Sequence, residues 1–212
     1  MPIRHHLEDQ TLFAYAAGNL PEAFNLIIAS HISMCDDCRA VVESYDALGG
    51  ALLEAGARVA LSEDSLSKAL ASLDEVAPEA SFAPRQGTLP GPVQDYVGGD
   101  LDAVSWRSVG MGVKQAVLPT SNEASARLLS IPAGVAIPDH SHDGMEMVLV
   151  LQGAYHDEDE TFSRGDIEVA DGSVSHRPVA AQGEDCICLA VTEAPLKFKS
   201  LIPKMAQKFA RI

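Results

Sequence analysis

Hydrophobic and polar positions along the chain follow two different periods. From about residue 7 to residue 76 apolar residues recur every three or four positions in a background rich in Ala, Leu and Glu. That spacing predicts helices. Leu12, Phe13, Tyr15 and Ala16 mark a first helix ending near Gly18-Asn19. Pro21 stands where a first helical position belongs, ahead of Phe24, Leu26, Ile27, Ile28 and His31. A third helix is expected from about Asp36 through Val41, Val42, Tyr45 and Leu48, with Gly49-Gly50 as its weak point. A fourth runs from about Ser62 to Val76 and places Leu66, Leu70 and Leu73 on one stripe. From Trp106 the pattern changes to short apolar runs rich in β-branched residues and separated by Gly, Pro and Asp: 113–118, 127–131, 145–151, 167–170 and 186–192. Those are the marks of a small all-β barrel or sandwich.

The pattern therefore predicts an all-α domain over 1–76, a linker over 77–92, a β-barrel over 93–196 and a basic tail over 197–212. Four prolines (78, 84, 90 and 92) and two glycines (87 and 91) in that span are expected to rule out a regular element. Residues 200–211 have the spacing of a short helix, with Leu201, Met205 and Phe209 on one face. Asp157 to Glu160 reads as an exposed hairpin turn.

Charge narrows the partners. The formal net charge is −15, and residues 1–76 carry 12 acidic against 4 basic side chains. Direct nucleic-acid binding needs Lys and Arg to neutralise phosphates, so it is not expected. An acidic helical domain is suited to a basic protein partner. No run of 18 apolar residues is present, so no membrane span is expected. The N-terminus has no apolar signal core, and a cytoplasmic location is expected.

Two stretches carry chemistry. In the first, His140 and His142 are followed by Glu146. They share parity on an extended strand, so all three can face one side if the strand bends at Gly144 without changing register. His176, eleven residues past Gly165, can close the site from a neighbouring strand. Three imidazoles and a carboxylate make a nitrogen/oxygen metal site, although Glu146 could instead be a catalytic carboxylate. The second stretch is His31-Ile-Ser-Met-Cys35-Asp-Asp-Cys38. On a helix His31 and Cys35 lie four apart on one face, and Cys38 follows one turn later. These ligands suit Zn2+, which takes four in a closed structural site. The fourth must come from His5 or His6, and His6 is preferred because it is placed at the start of the first helix, where an antiparallel partner could bring it to His31. A domain of this size has a thin core, and zinc could supply folding free energy of order 10 kcal/mol. Cys186 and Cys188 alternate with apolar neighbours on a strand and read as buried small side chains, with oxidant sensing as the other reading.

Gly134, five residues, His140-x-His142, three residues, Glu146, six residues, Gly153 reproduces the first motif of the cupins, and residues 105–195 resemble that barrel family. In the second motif Gly165 and His176 keep the spacing, while Asp171, Ser173 and Ala180 replace the usual proline, glycine and asparagine. The His31/Cys35/Cys38 triplet in an acidic helical domain resembles the zinc-binding anti-sigma domain. Together with His5-His6, Ala14-Tyr-Ala-Ala-Gly18 and the following cupin, it makes nearly the whole chain similar to the ChrR group of anti-sigma factors. The resemblance implies a helical domain that binds an extracytoplasmic-function-type sigma factor and blocks its engagement with RNA polymerase and promoter. It also implies a second zinc in the cupin, required for release on oxidative signals such as singlet oxygen. The competing reading is a metal-dependent cupin enzyme, a dioxygenase or isomerase, with a regulatory N-terminal domain. No substrate-anchoring arginine cluster or nucleophile motif stands beside the ligands to favour it.

Overall fold

The structure, a computed structural model, describes residues 2–73, 86–141, 144–171, 175–194 and 197–198. Helices α1 (Asp9–Ala16), α2 (Glu22–Ile32), α3 (Asp36–Ala55), α4 (Ser65–Leu73) and α5 (Gly91–Val97) precede the strands. Two of these depart from expectation. Helix α3 runs straight through Gly49-Gly50, since two glycines cost about 2 kcal/mol against alanine in a helix interior, too little to break one of 20 residues. Helix α5 begins inside the stretch expected to be irregular. Pro90 caps it and Pro92 lies in its first turn, where the missing N–H has no helical partner to lose. Residues 74–85, the main part of the expected linker, lie outside the described residues, as does the expected terminal helix over 200–211.

Strands β1 (Arg107–Gly110), β2 (Val113–Val117), β3 (Ser125–Ile131), β5 (Glu146–Gln152), β8 (Ile167–Ala170) and β11 (Cys186–Thr192) form an antiparallel sheet in the order β1-β2-β3-β11-β5-β8. A second sheet has the order β10 (Val179–Ala180), β6 (Ala154–Asp157), β7 (Glu160–Ser163). Strands β6 and β7 form a hairpin whose turn is Glu158-Asp159 within the acidic run, although Asp157 itself is buried. A third sheet joins β12 (Lys197–Phe198), β4 (His140–Ser141) and β9 (Ser175–His176).

The six-stranded sheet is covered on both faces, which is why β11 buries all seven of its residues and shows no alternation. One face points into the barrel, where Ile131, Val150, Cys186 and Cys188 meet Tyr155, Phe162 and Ala180. The other face carries Leu128, Met147, Leu149, Leu189 and Val191. It shares one apolar core with Phe24, Leu26, Ile27 and Ile28 of α2. Each such side chain contributes about 1.5–3 kcal/mol when fully buried, so the barrel helps hold α2 in place. Glu22 stakes its first turn, accepting hydrogen bonds from Tyr96 Oη at 2.5 Å and from the Ser121 amide at 2.7 Å.

Candidate metal centres

His31 lies in the last turn of α2, Ser33 and Met34 make the turn, and Cys35 is the N-cap of α3. The single helix expected across His31 and Cys35 is thus two helices meeting at the site. The i,i+4 bond survives the break, since the Cys35 amide donates to the His31 carbonyl at 2.8 Å. Cys35 Sγ accepts from the Cys38 amide at 3.5 Å, as an N-cap side chain does, and so turns both sulfurs to one side. His6 comes from the extended segment ahead of α1, not from the helix start expected, because α1 begins only at Asp9. His5 points elsewhere, with its ring 4.3 Å from that of Phe162 and 3.8 Å from the Glu160 carboxylate.

His6, His31, Cys35 and Cys38 each turn one donor atom into a cluster in which all four lie within 4.8 Å of one another. His6 Nδ1 is 3.3 Å from Cys35 Sγ and 3.6 Å from Cys38 Sγ, and His31 Nε2 is 3.3 Å from Cys38 Sγ. Tetrahedral zinc with ordinary Zn–N and Zn–S bonds sets nitrogen and sulfur about 3.5 Å apart, so donor set and spacing both fit that ion. Only His6 is exposed, as a closed structural site requires.

Burial sets the protons. It lowers the His31 pKa to about 4, with the neighbouring His6 acting in the same direction, so the imidazole is neutral at pH 7. It pushes the Cys38 thiol up to about 11, and Cys35 adds to the rise. A metal must therefore displace a proton from Cys38 but none from His31. Calorimetric titration of the metal-free, reduced protein with Zn2+ at pH 7, in buffers of different ionisation enthalpy, should show proton release that Cys38→Ser reduces.

The barrel residues are only partly described. His140 and His176 stand directly opposite each other across the β4–β9 pair. His142 lies outside the described residues. Glu146 opens β5, and its carboxyl group is buried. Gly144, with φ +90°, supplies the bend expected just before it. Across the sheet Glu146 is level with Thr192, and Thr192 with Ser125, whose hydroxyl lies 3.1 Å from that of Thr192.

Sequence reasoning passed over Arg127, two positions along β3 from Ser125. It is buried, donates to Ser125 Oγ at 2.8 Å, and has its cationic form supported by Glu146 against the burial that opposes it. Its only signal was a lone charge within an apolar β run. Tyr155 was also missed and donates to Glu168 at 2.6 Å. Cys186 and Cys188 are buried in the barrel core, and a hydrogen bond from one thiol to the other, with burial, holds the Cys188 pKa well above the usual thiol range. Inert packing follows, since the reactive form is the thiolate.

A helical module with a compact two-imidazole, two-thiol cluster, docked on a cupin-like barrel, defines the class of protein. Residues 94–196 match the ChrR cupin-like domain family. The chain is 55% identical over 216 residues to the anti-sigma-E factor ChrR of Cereibacter sphaeroides, covering 100% of both chains. It superposes with a TM-score of 0.81 and 54% identity on a chain from the crystal structure of Rhodobacter sphaeroides SigE in complex with the anti-sigma ChrR, covering 90% of this chain and 99% of that one. An RmlC-like cupin protein from Ralstonia eutropha aligns at a TM-score of 0.42 and 23% identity, over 49% of this chain and 71% of that one. The chain belongs to the ChrR family of anti-sigma factors.

Proposed function

We propose that the chain sequesters an extracytoplasmic-function-type sigma factor through its helices and keeps it from RNA polymerase and promoter. The observation that carries this reading is an apolar surface that no other described residue covers. Helix α4 buries none of its side chains, and Leu66, Leu70 and Leu73, on one stripe, are 55–70% exposed. Leu48, Leu52 and Leu53 at the end of α3 are likewise exposed, as are Val59 and Leu61 between the helices. Exposed apolar surface on this scale marks a partner's binding site, and an amphipathic helix is a common form for one. The acidic balance of the helical half complements the basic surface that a DNA-binding sigma factor presents.

In this reading His6, His31, Cys35 and Cys38 hold a structural Zn2+ that stabilises the helical domain. His140, His142, Glu146 and His176 hold a second metal in the barrel, which carries no catalytic turnover and senses the oxidative signal, such as singlet oxygen, that releases the sigma factor. The protein works in the cytoplasm, where its partner meets RNA polymerase. No helix among the described residues is long and apolar enough to cross a membrane.

The test uses full-length protein, the sigma factor encoded in the same cell and RNA polymerase core. Promoter-dependent transcription should fall on adding the zinc-loaded protein and return when a chelator strips it. Undiminished transcription with a stoichiometric excess of the folded, zinc-loaded chain would end the proposal.

A further inference from the structure

We propose that the Gly165-Asp166 turn of the barrel is the outer shell of the helical metal cluster, positioning His31 and His6 as ligands. The inference rests on the reading of that cluster as a zinc site.

His31 Nδ1 is 2.9 Å from the Gly165 carbonyl oxygen. A carbonyl only accepts, so Nδ1 carries the hydrogen and Nε2 presents its lone pair to the sulfurs. One contact from the barrel thus sets both the tautomer and the ring orientation of a ligand on α2. Asp166 acts on the other imidazole through the backbone. Its Oδ1 accepts from the amides of Arg4 at 2.7 Å and His5 at 3.1 Å. The His5 carbonyl in turn accepts from the Ile167 amide at 3.3 Å. The residue that follows this clamp is His6.

The turn is built to be rigid. Asp166 is buried, and its other oxygen accepts from the Ser163 amide at 2.8 Å. The Gly165 amide donates to the Val150 carbonyl at 2.8 Å, and the Asp166 carbonyl accepts from the Val150 amide at 3.1 Å. Gly165 has φ +91°, and a Cβ there would lie 2.6 Å from Cδ1 of Ile3. The left-handed conformation favours glycine here, and the Ile3 side chain packs where a Cβ would stand. Strand β8 leaves this turn and pairs Ala170 with Glu146, so one stiff element runs from the barrel carboxylate to the helical cluster. Local pattern marks Gly165 only as part of the barrel motif, because His31 lies 134 residues away.

The test loads full-length protein with Co2+. Thiolate-to-cobalt charge transfer reports a cysteine-ligated ion only. In a Cys186→Ala/Cys188→Ala background Cys35 and Cys38 are the remaining thiols, so a nitrogen/oxygen barrel site is silent. Loss of the band to excess chelator should be about ten-fold faster in Asp166→Ala than in the parent. Asp166→Asn, which keeps an oxygen for the Arg4 and His5 amides, should fall between them. Circular dichroism should show helices and barrel intact in both. A release rate within about two-fold of the parent in Asp166→Ala overturns the proposal. Should that variant fail to fold, the same result in Asp166→Asn does so. A parent without any thiolate band removes the zinc reading, and this inference with it.

Discussion

Replacing Leu66 and Leu70 together by glutamine is expected to weaken sigma-factor binding by about a hundred-fold or more and to relieve repression, while leaving the free protein folded. Both side chains are more than half exposed, so their loss costs the isolated chain little. Glutamine is nearly as good a helix former as leucine, so α4 should persist. In the proposed complex these positions meet an apolar cover, where a central anchor contributes about 2 kcal/mol or more and an amide would be desolvated without a matched partner. The change adds no charge, so a loss of affinity cannot be assigned to the long-range field of an acidic domain. Titration of labelled sigma factor against parent and variant reads the effect directly. Equal affinities would move the interface off α4, and the exposed leucines would then need another cover.

Cys38→Ser is expected to abolish inhibition by unfolding the helical module rather than by altering its surface. Cys38 is buried beside His31, and its sulfur is within 3.6 Å of both imidazoles. Serine is neutral and offers a poor zinc donor at pH 7, so the site loses a ligand and keeps its buried imidazole. Structural zinc contributes free energy of order 10 kcal/mol in small modules, more than a helical unit of this length can spare. The barrel, whose interior core is separate, should keep its β signal. Metal content should fall by the N-terminal equivalent, helical circular dichroism should drop, and chelation of the parent should reproduce both. A serine variant that stays helical and inhibitory without that metal would show that packing of α2 on the barrel suffices to hold the module.

Local pattern made much of this legible. The strands at Ile167–Ala170 and Cys186–Thr192 have the bounds that their β-branched runs predict. Helices α1 to α4 stand where three- and four-residue spacing puts them. Two departures, at Gly49-Gly50 and at Pro92, share one cause. Glycine and proline were weighed as breakers by identity, while their effect depends on position. Pro92 is harmless in a first turn, and Gly49-Gly50 costs too little in a long helix. His31, Cys35 and Cys38 fall on two helices instead of one, since spacing alone cannot distinguish a continuous helix from two that share a capped turn.

Residue type and spacing alone marked His31, Cys35 and Cys38 as candidate donors, and the structure brings their donor atoms together. The sequence by itself also determined the acidic helical half and the leucine stripe on α4, since charge and periodicity are local properties. Only the tertiary structure decided that His6 rather than His5 completes the cluster, because the difference is the direction of one side chain in an extended segment anchored by Asp166. It alone puts α2 into one core with the outer face of the barrel sheet and sets a barrel carbonyl against a helical imidazole. The His31–Gly165 contact joins residues 134 positions apart, where nothing in the local pattern of either partner records the other, and burial selects it only when the whole chain is packed.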